Sequence, residues 1–171
     1  MRTELFVHGA HQTKDFRSGN NGMDQWLRRF AKNAQRDNTT RVHVLVDDGG
    51  AEGKLPILGY FALSMTSVEL ENLSAADRTR LPRYPVAAVL MTRLAVDVSL
   101  QGQGLGRSLL FKAAGKALLA AEFVAAVVFV VDAIDEKAAA FYARFDFVPC
   151  GDPLRLYIPM ARLAGKLSGQ E

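Results

Sequence analysis

The stretch LAVDVSLQGQGLGRSLL constrains this chain more than any other. It places Gly102, Gly104 and Gly106 between a β-branched apolar run and a long segment of helical periodicity. A strand must therefore pass into a helix through a loop whose backbone N–H groups few side chains cover. Such groups, backed by the positive end of the helix dipole, bind anions, and glycine lets a phosphate come close. The bland reading is a flexible turn, since glycine-rich turns are common. Two phosphate motifs fail on inspection. A dinucleotide fingerprint starting at Gly102 needs glycine at position 107, where Arg107 stands, and no Gly-Lys-Ser/Thr ending of a P-loop occurs. What fits is Gln-x-x-Gly-x-Gly, carried by Gln101, Gly104 and Gly106.

The rest of the chain supplies a sheet and its helices. Thr3 to His8 reads as a short strand, followed by a turn-rich stretch from Lys14 to Asn21. A helix capped by Asp24 should run to about Gln35, with Trp26, Leu27, Phe30, Ala31 and Ala34 on its apolar face. Arg41–Val46 and Leu55–Ser64 form a hairpin about the turn Asp47-Asp48-Gly49-Gly50. Ser74 caps a short helix to about Arg80, and a long strand follows from Pro85 to Val96. Beyond the glycine loop come a helix to about Glu122, a buried strand from Val124 to Val131, a helix from Glu136 to Arg144 and a strand from Leu154 to Met160. At 171 residues this is one α/β domain over 1–171, its polar end 161–171 expected to fray.

Composition removes other classes. With 49% hydrophobic and 23% charged residues, the chain is neither disordered nor fibrous. The lone Cys150 cannot form an internal disulfide, and MRTELFVHGAHQTK lacks the apolar core of a signal peptide. Ala117 to Val131 is apolar but interrupted by Glu122, and a spanning helix needs about 20 largely apolar residues. No membrane association and a cytoplasmic location are expected. Cys150 and the dispersed His8, His11 and His43 offer no zinc-type ligand spacing, so no metal is expected. The net charge of +3 is explained by solubility alone.

The glycine motif resembles the pyrophosphate-binding loop of the GNAT superfamily of acetyl-CoA-dependent N-acetyltransferases. DEKAAAFYARFDF is similar to that superfamily's N-x-x-A-x-x-F-Y-x-x-x-G-F segment, matching at Ala138, Phe141, Tyr142 and Phe147 and departing at Asp135 and Asp146. Asp146 replaces a glycine, and aspartate tolerates left-handed backbone better than most residues. A closer resemblance covers most of the chain. FRSGNNGMDQWLRRFAKNAQRDNTTR, GYFALS, LPRYPVAAVLMTRLAVD and QGQGLGRSLL look like the GNAT toxins of bacterial type II toxin–antitoxin modules, with Arg17 and Met23 where cysteine and leucine are usual.

The resemblance implies the GNAT fold, a mixed, mostly antiparallel sheet with splayed central strands flanked by helices. It implies acetyl-CoA as co-substrate, with Leu94, Ala95 and Val96 pairing with pantetheine and an amide near Leu94 polarising the thioester. The diphosphate would lie on Gln101, Gly102, Gln103, Gly104, Leu105, Gly106 and Arg107, with Phe141 beside the cofactor and Tyr142 protonating the leaving thiolate. A phenol (pKa about 10) and a thiol (about 8.5) are close enough for that transfer. No side chain stands out as general base, and an α-amine of pKa about 7.7 to 8.0 needs little help. The toxin family acetylates aminoacyl-tRNA, and is neutralised by a ribbon-helix-helix antitoxin; a homodimer is also expected. Arg28, Arg29, Lys32 and Arg36, and a second group of Arg78, Arg80, Arg83 and Arg93, suit tRNA phosphates or an acidic antitoxin segment; a solvated helix face is the bland alternative. Competing functions are acetylation of a small or protein amine, and a catalytically silent CoA-binding module. Which aminoacyl-tRNA is used is not encoded in any motif.

Overall fold

In a computed structural model, residues 1–47 and 53–169 are described, and the expected turn at Asp48-Gly49-Gly50 lies outside them. Among these residues are eight strands, β1 (Arg2–Leu5), β2 (His11–Gln12), β3 (Arg41–Val46), β4 (Leu55–Val68), β5 (Val86–Val96), β6 (Val128–Asp132), β7 (Val148–Cys150) and β8 (Asp152–Pro159), interspersed with helices. These are α1 (Asn21–Arg29), α2 (Ala31–Arg36), α3 (Ala75–Arg78), α4 (Leu105–Phe123), α5 (Glu136–Ala143) and α6 (Met160–Ser168). The sheet is mixed and mostly antiparallel, in the order β1-β3-β4-β5-β6-β8-β7, with β2 beside β4. The chain divides into two compact units, Met1–Ser64 with Arg93–Ala113, and Met65–Thr92 with Ala114 onward.

In the first unit β3 pairs antiparallel with β1 (Arg2↔Val46 to Leu5↔His43) and with β4 (Arg41↔Leu63 to Val46↔Ile57). Val42, Val44 and Val46 are buried in one cluster with Phe6, Phe16, Leu27, Ala31 and Tyr60, against which Trp26 packs. The helix of this unit differs from expectation in three ways. Its cap is Asn20, whose side chain accepts from the Met23 N–H at 3.0 Å. Asp24 is instead buried, accepting from the Ser18 N–H (2.9 Å) and hydroxyl (2.6 Å). The helix also breaks at Phe30, which is exposed, so that Ala31 rather than Phe30 continues the buried face.

Gly59 on β4 is required by close approach. A Cβ there would lie 2.8 Å from Leu109 Cδ1 and 3.0 Å from the Ala95 carbonyl oxygen. Gly59→Ala is expected to destabilise the fold by about 1–3 kcal/mol, the usual cost of overpacking against backbone, read as a lower urea midpoint.

In the second unit β6 pairs parallel with β5 (Ala88↔Val128 to Met91↔Val131) and antiparallel with β8 (Val128↔Pro159 to Asp132↔Arg155). Val128 to Val131 are all buried, as a strand covered on both faces should be. That strand starts at Val128 rather than Val124 because α4 runs on to Phe123, leaving Phe123 and Val124 exposed. Expectation also misses β7, whose Pro149 argues against a strand. Residues expected to fray form α6 to Ser168, anchored by buried Met160 and Leu163 and by a Lys166–Asp146 ion pair. Ser74 caps α3 as expected, though α3 ends at Arg78. The Tyr157 hydroxyl accepts from the Ser74 N–H (2.9 Å) and donates to Asp77 (2.7 Å).

Candidate active site

The glycine loop belongs to the first unit. Beyond its last pair with β6, at Met91, β5 runs on through Arg93, half-buried Leu94 and buried Ala95 and Val96. Asp97 then caps a 3₁₀ turn (Val98–Leu100), accepting from the Ser99 N–H (3.0 Å) and hydroxyl (2.7 Å) and from the Arg17 N–H (3.0 Å). Burial alone would raise this carboxyl, but those bonds hold its pKa below the ordinary value. The Gln101 amide turns inward, donating to the Ser18 carbonyl (2.8 Å) and the Val96 carbonyl (3.0 Å). It ties the strand end to the loop before α1.

Gly102 and Gly104 have φ of +79° and +81°, and nothing stands within 4 Å of where a Cβ would be. Glycine serves backbone conformation there and leaves the amides uncovered. Gln103 lies between them, exposed, and α4 begins at Leu105. Its first turn has no acidic residue, contains Gly106 and Arg107, and has N–H groups without intrahelical acceptors. The Arg107 guanidinium lies 5.4 Å from the Phe111 ring. The arrangement is a cradle of donors suited to a diphosphate.

Tyr142 belongs to the second unit. Asp135 caps α5, its carboxylate accepting from the Ala138 N–H at 2.7 Å, so the residue that replaces the motif's asparagine is engaged locally. Asp146, in place of the motif's glycine, adopts φ +66°. The Tyr142 ring packs edge-on to Phe141 (5.2 Å) and against Phe147 (5.8 Å), which meets Phe129 of β6 (5.9 Å). Burial pushes the Tyr142 phenol well above its ordinary pKa, and the Asp132 carboxylate adds to the shift. The hydroxyl thus stays protonated across the physiological range.

The basic residues divide between the units. In the first, Arg29, Lys32 and Arg36 are exposed on α1 and α2, with Arg36 paired to Asp37 at 2.7 Å. Half-buried Arg28, with Lys14 and Arg17, lines a cavity of about 680 Å³ beside Asp24. The Arg93 guanidinium lies 4.1 Å above the Trp26 ring, which stacks on Tyr60 at 6.1 Å. That stack is not legible in the sequence, since its partners come from three elements. Arg78, Arg80 and Arg83 are exposed in the second unit. Of the histidines, His11 is buried between Glu4 (2.8 Å) and the Val7 N–H (2.9 Å), and His43 is buried against Phe61. Among the described residues no group of His, Cys, Asp or Glu is arranged to hold a metal, and no helix is long and apolar enough to cross a membrane.

A glycine loop after a central strand, opening a long helix, with a buried tyrosine on the helix after the next strand, is the element order of a GNAT acetyltransferase. The family profile described as "Acetyltransferase (GNAT) domain" matches residues 39–149, and the chain belongs to that family. It is 34% identical over 155 residues to a tRNA-acetylating toxin of Mycobacterium tuberculosis (strain ATCC 25618 / H37Rv), covering 90% of this chain and 89% of that one. In fold it is similar to AtaT complexed with acetyl-methionyl-tRNAfMet (TM-score 0.88, 24% identity, 96% and 98% of the two chains). It is similar too to a tyrosine-to-phenylalanine mutant of AtaT bound to acetyl-CoA and the C-terminus of the antitoxin AtaR (TM-score 0.82, 23% identity, 99% and 98%).

Proposed function

We propose that this acetyltransferase is a toxin that moves the acetyl group of acetyl-CoA onto the α-amino group of aminoacyl-tRNA, stopping translation until an antitoxin neutralises it. The similarity to the tRNA-acetylating toxin, over nine-tenths of both chains in round terms, carries the reading. The cradle from Gly102 to Arg107 takes the diphosphate, with Gln101 holding the loop in place. Leu94, Ala95 and Val96 offer backbone groups to pantetheine, and an amide near Leu94 polarises the thioester carbonyl. Phe141 packs beside the cofactor. The amine attacks the carbonyl carbon, the C–S bond breaks, Tyr142 gives its proton to the sulfur, and the nitrogen's surplus proton is shed to water, from which Tyr142 is reprotonated.

The acceptor's chemistry agrees with the engagement of His11 and His43 in the first unit. An α-amine of pKa about 7.7 to 8.0 is partly neutral near pH 7, whereas a lysine amine at about 10.4 needs a base. Arg28, Arg29, Lys32, Arg36 and Arg93, with Arg78, Arg80 and Arg83, give tRNA phosphates cationic partners. The same arginines suit an acidic antitoxin segment, in a partner of ribbon-helix-helix type, and the working enzyme is a cytoplasmic homodimer.

The test is transfer of labelled acetyl from acetyl-CoA to a charged total tRNA pool, with uncharged tRNA as control. Label on charged tRNA alone supports the reading, and sequencing the labelled species names the acceptor. Label on small amines or protein instead overturns it while keeping the family.

A further inference from the structure

The cavity of about 680 Å³ in the first unit gathers more positive charge than the fold neutralises. Lys14, Arg17 and Arg28 line it against one carboxylate, Asp24, which is taken up by the Ser18 N–H and hydroxyl. Among the described residues none of these three cations forms an ion pair. Asp97 feels the Arg17 charge, but it lies outside the lining and its oxygens accept from the Arg17 and Ser99 N–H groups. The excess is left for a ligand.

The fold also fixes these cations in place. Arg17 Nη1 donates to the Lys14 and Phe16 carbonyls at 2.7 and 2.9 Å, and Arg28 Nη1 reaches the same Phe16 carbonyl at 3.4 Å. Phe16 is buried, its ring edge-on to Tyr60 at 5.6 Å, so one core residue holds both guanidiniums. Two like charges gathered on one oxygen repel each other, and an anion between them relieves that cost. Nε and Nη2 of both arginines make no hydrogen bond among the described residues, nor does the Lys14 ammonium, so these donors face the cavity's occupant.

Contacts within the same unit set this cavity beside the cofactor loop. The Val98 N–H donates to the Arg17 carbonyl at 2.7 Å, the Arg17 N–H to Asp97 at 3.0 Å, and the Gln101 amide to the Ser18 carbonyl at 2.8 Å. Val98 itself lines the cavity, and Gly102 opens the diphosphate cradle directly after Gln101. Acetyl-CoA carries, beyond its diphosphate, a phosphate monoester on the ribose 3′ oxygen. A monoester bears about −1.5 to −2 charge near pH 7, more than one diester of a nucleic acid, and suits a wall with this excess of cations. We propose that the cavity of Lys14, Arg17 and Arg28 receives the 3′-phosphate of acetyl-CoA, at a site apart from the diphosphate cradle. Arg28 thus serves the cofactor, while exposed Arg29, Lys32 and Arg36 line no part of the cavity and are left to tRNA. The site also selects the acyl carrier, because a thioester lacking the 3′-phosphate leaves the gathered charges unneutralised.

The test is calorimetric binding of acetyl-CoA and of acetyl-3′-dephospho-CoA to the full chain. The proteins are wild type, Arg17→Gln, Lys14→Gln and, as an exposed charge outside the cavity, Arg41→Gln. Wild type is expected to bind the dephospho form about 10- to 100-fold more weakly, the worth of a hydrogen bond to a charged group. Arg17→Gln should weaken acetyl-CoA about tenfold and the dephospho form by no more than about twofold, so that the two affinities draw together. Lys14→Gln should act in the same direction, and it carries the test if Arg17→Gln lowers the urea midpoint, because its ammonium holds nothing in the fold. Arg41→Gln should leave both affinities in place. Equal binding of the two ligands by wild type overturns the proposal, as does a weakening of both ligands alike, or of neither, in Arg17→Gln and Lys14→Gln. A raised KM for charged tRNA in those variants, with both cofactor affinities unchanged, overturns it in favour of the nucleic acid. No acceptor enters the binding measurement, so its outcome is independent of which amine the enzyme acetylates.

Discussion

Tyr142→Phe is expected to lower kcat on charged tRNA by about 10²–10⁴-fold, the usual contribution of a positioned acid, or about 2.7–5.4 kcal/mol of barrier. The ring keeps its packing against Phe141 and Phe147, so folding and acetyl-CoA affinity should hold. Stopped-flow turnover beside calorimetric binding checks both. A drop below tenfold would move the acid elsewhere. The direction of the phenol's shift adds a second reading of the same experiment. Burial raises its pKa, so deprotonation of Tyr142 should not set an alkaline limb in the wild-type rate at physiological pH. An acidic limb is expected from the acceptor amine.

The second large effect is on salt. If six or more of the proposed cationic residues meet tRNA phosphates, kcat/KM for charged tRNA should fall about 10³–10⁵-fold between about 50 and 200 mM salt. Acetyl-CoA binding alone, with its few phosphates, should fall far less. Charge removal at Arg29, Lys32 and Arg36, all exposed, should flatten the logarithmic slope by nearly one unit for each phosphate no longer neutralised. A slope near zero in the wild type would mean that the acceptor carries no polyanion.

Much of the fold and part of the site can be read from residues alone. Branched side chains mark Arg41–Val46 and, within the run read from Val124 to Val131, the part from Val128, because there the core covers the strands as their pattern describes. The glycine loop is legible because φ near +80° at Gly102 and Gly104 admits few other residues. The errors share a cause. Asp24 reads as a cap because its type favours caps, but a hydroxyl and an amide from Ser18 draw it into the interior and leave the cap to Asn20. Residues 161–168 look polar by composition, yet Met160 and Leu163 fall on one helical face that the sheet can bury. The Arg93–Trp26–Tyr60 stack and the cross-strand pairing of Asp132 with Arg155 depend on strand register and helix placement, and no local pattern encodes either.

Cys150 carries a last consequence. It is the chain's sole cysteine, is 3% exposed, and burial raises its thiol pKa, so little of the oxidisable thiolate forms. Peroxide and glutathione disulfide should therefore leave the enzyme working through an oxidative burst. Alkylation of the same thiol should be slow in the folded protein and quicken when the β7–β8 hairpin opens.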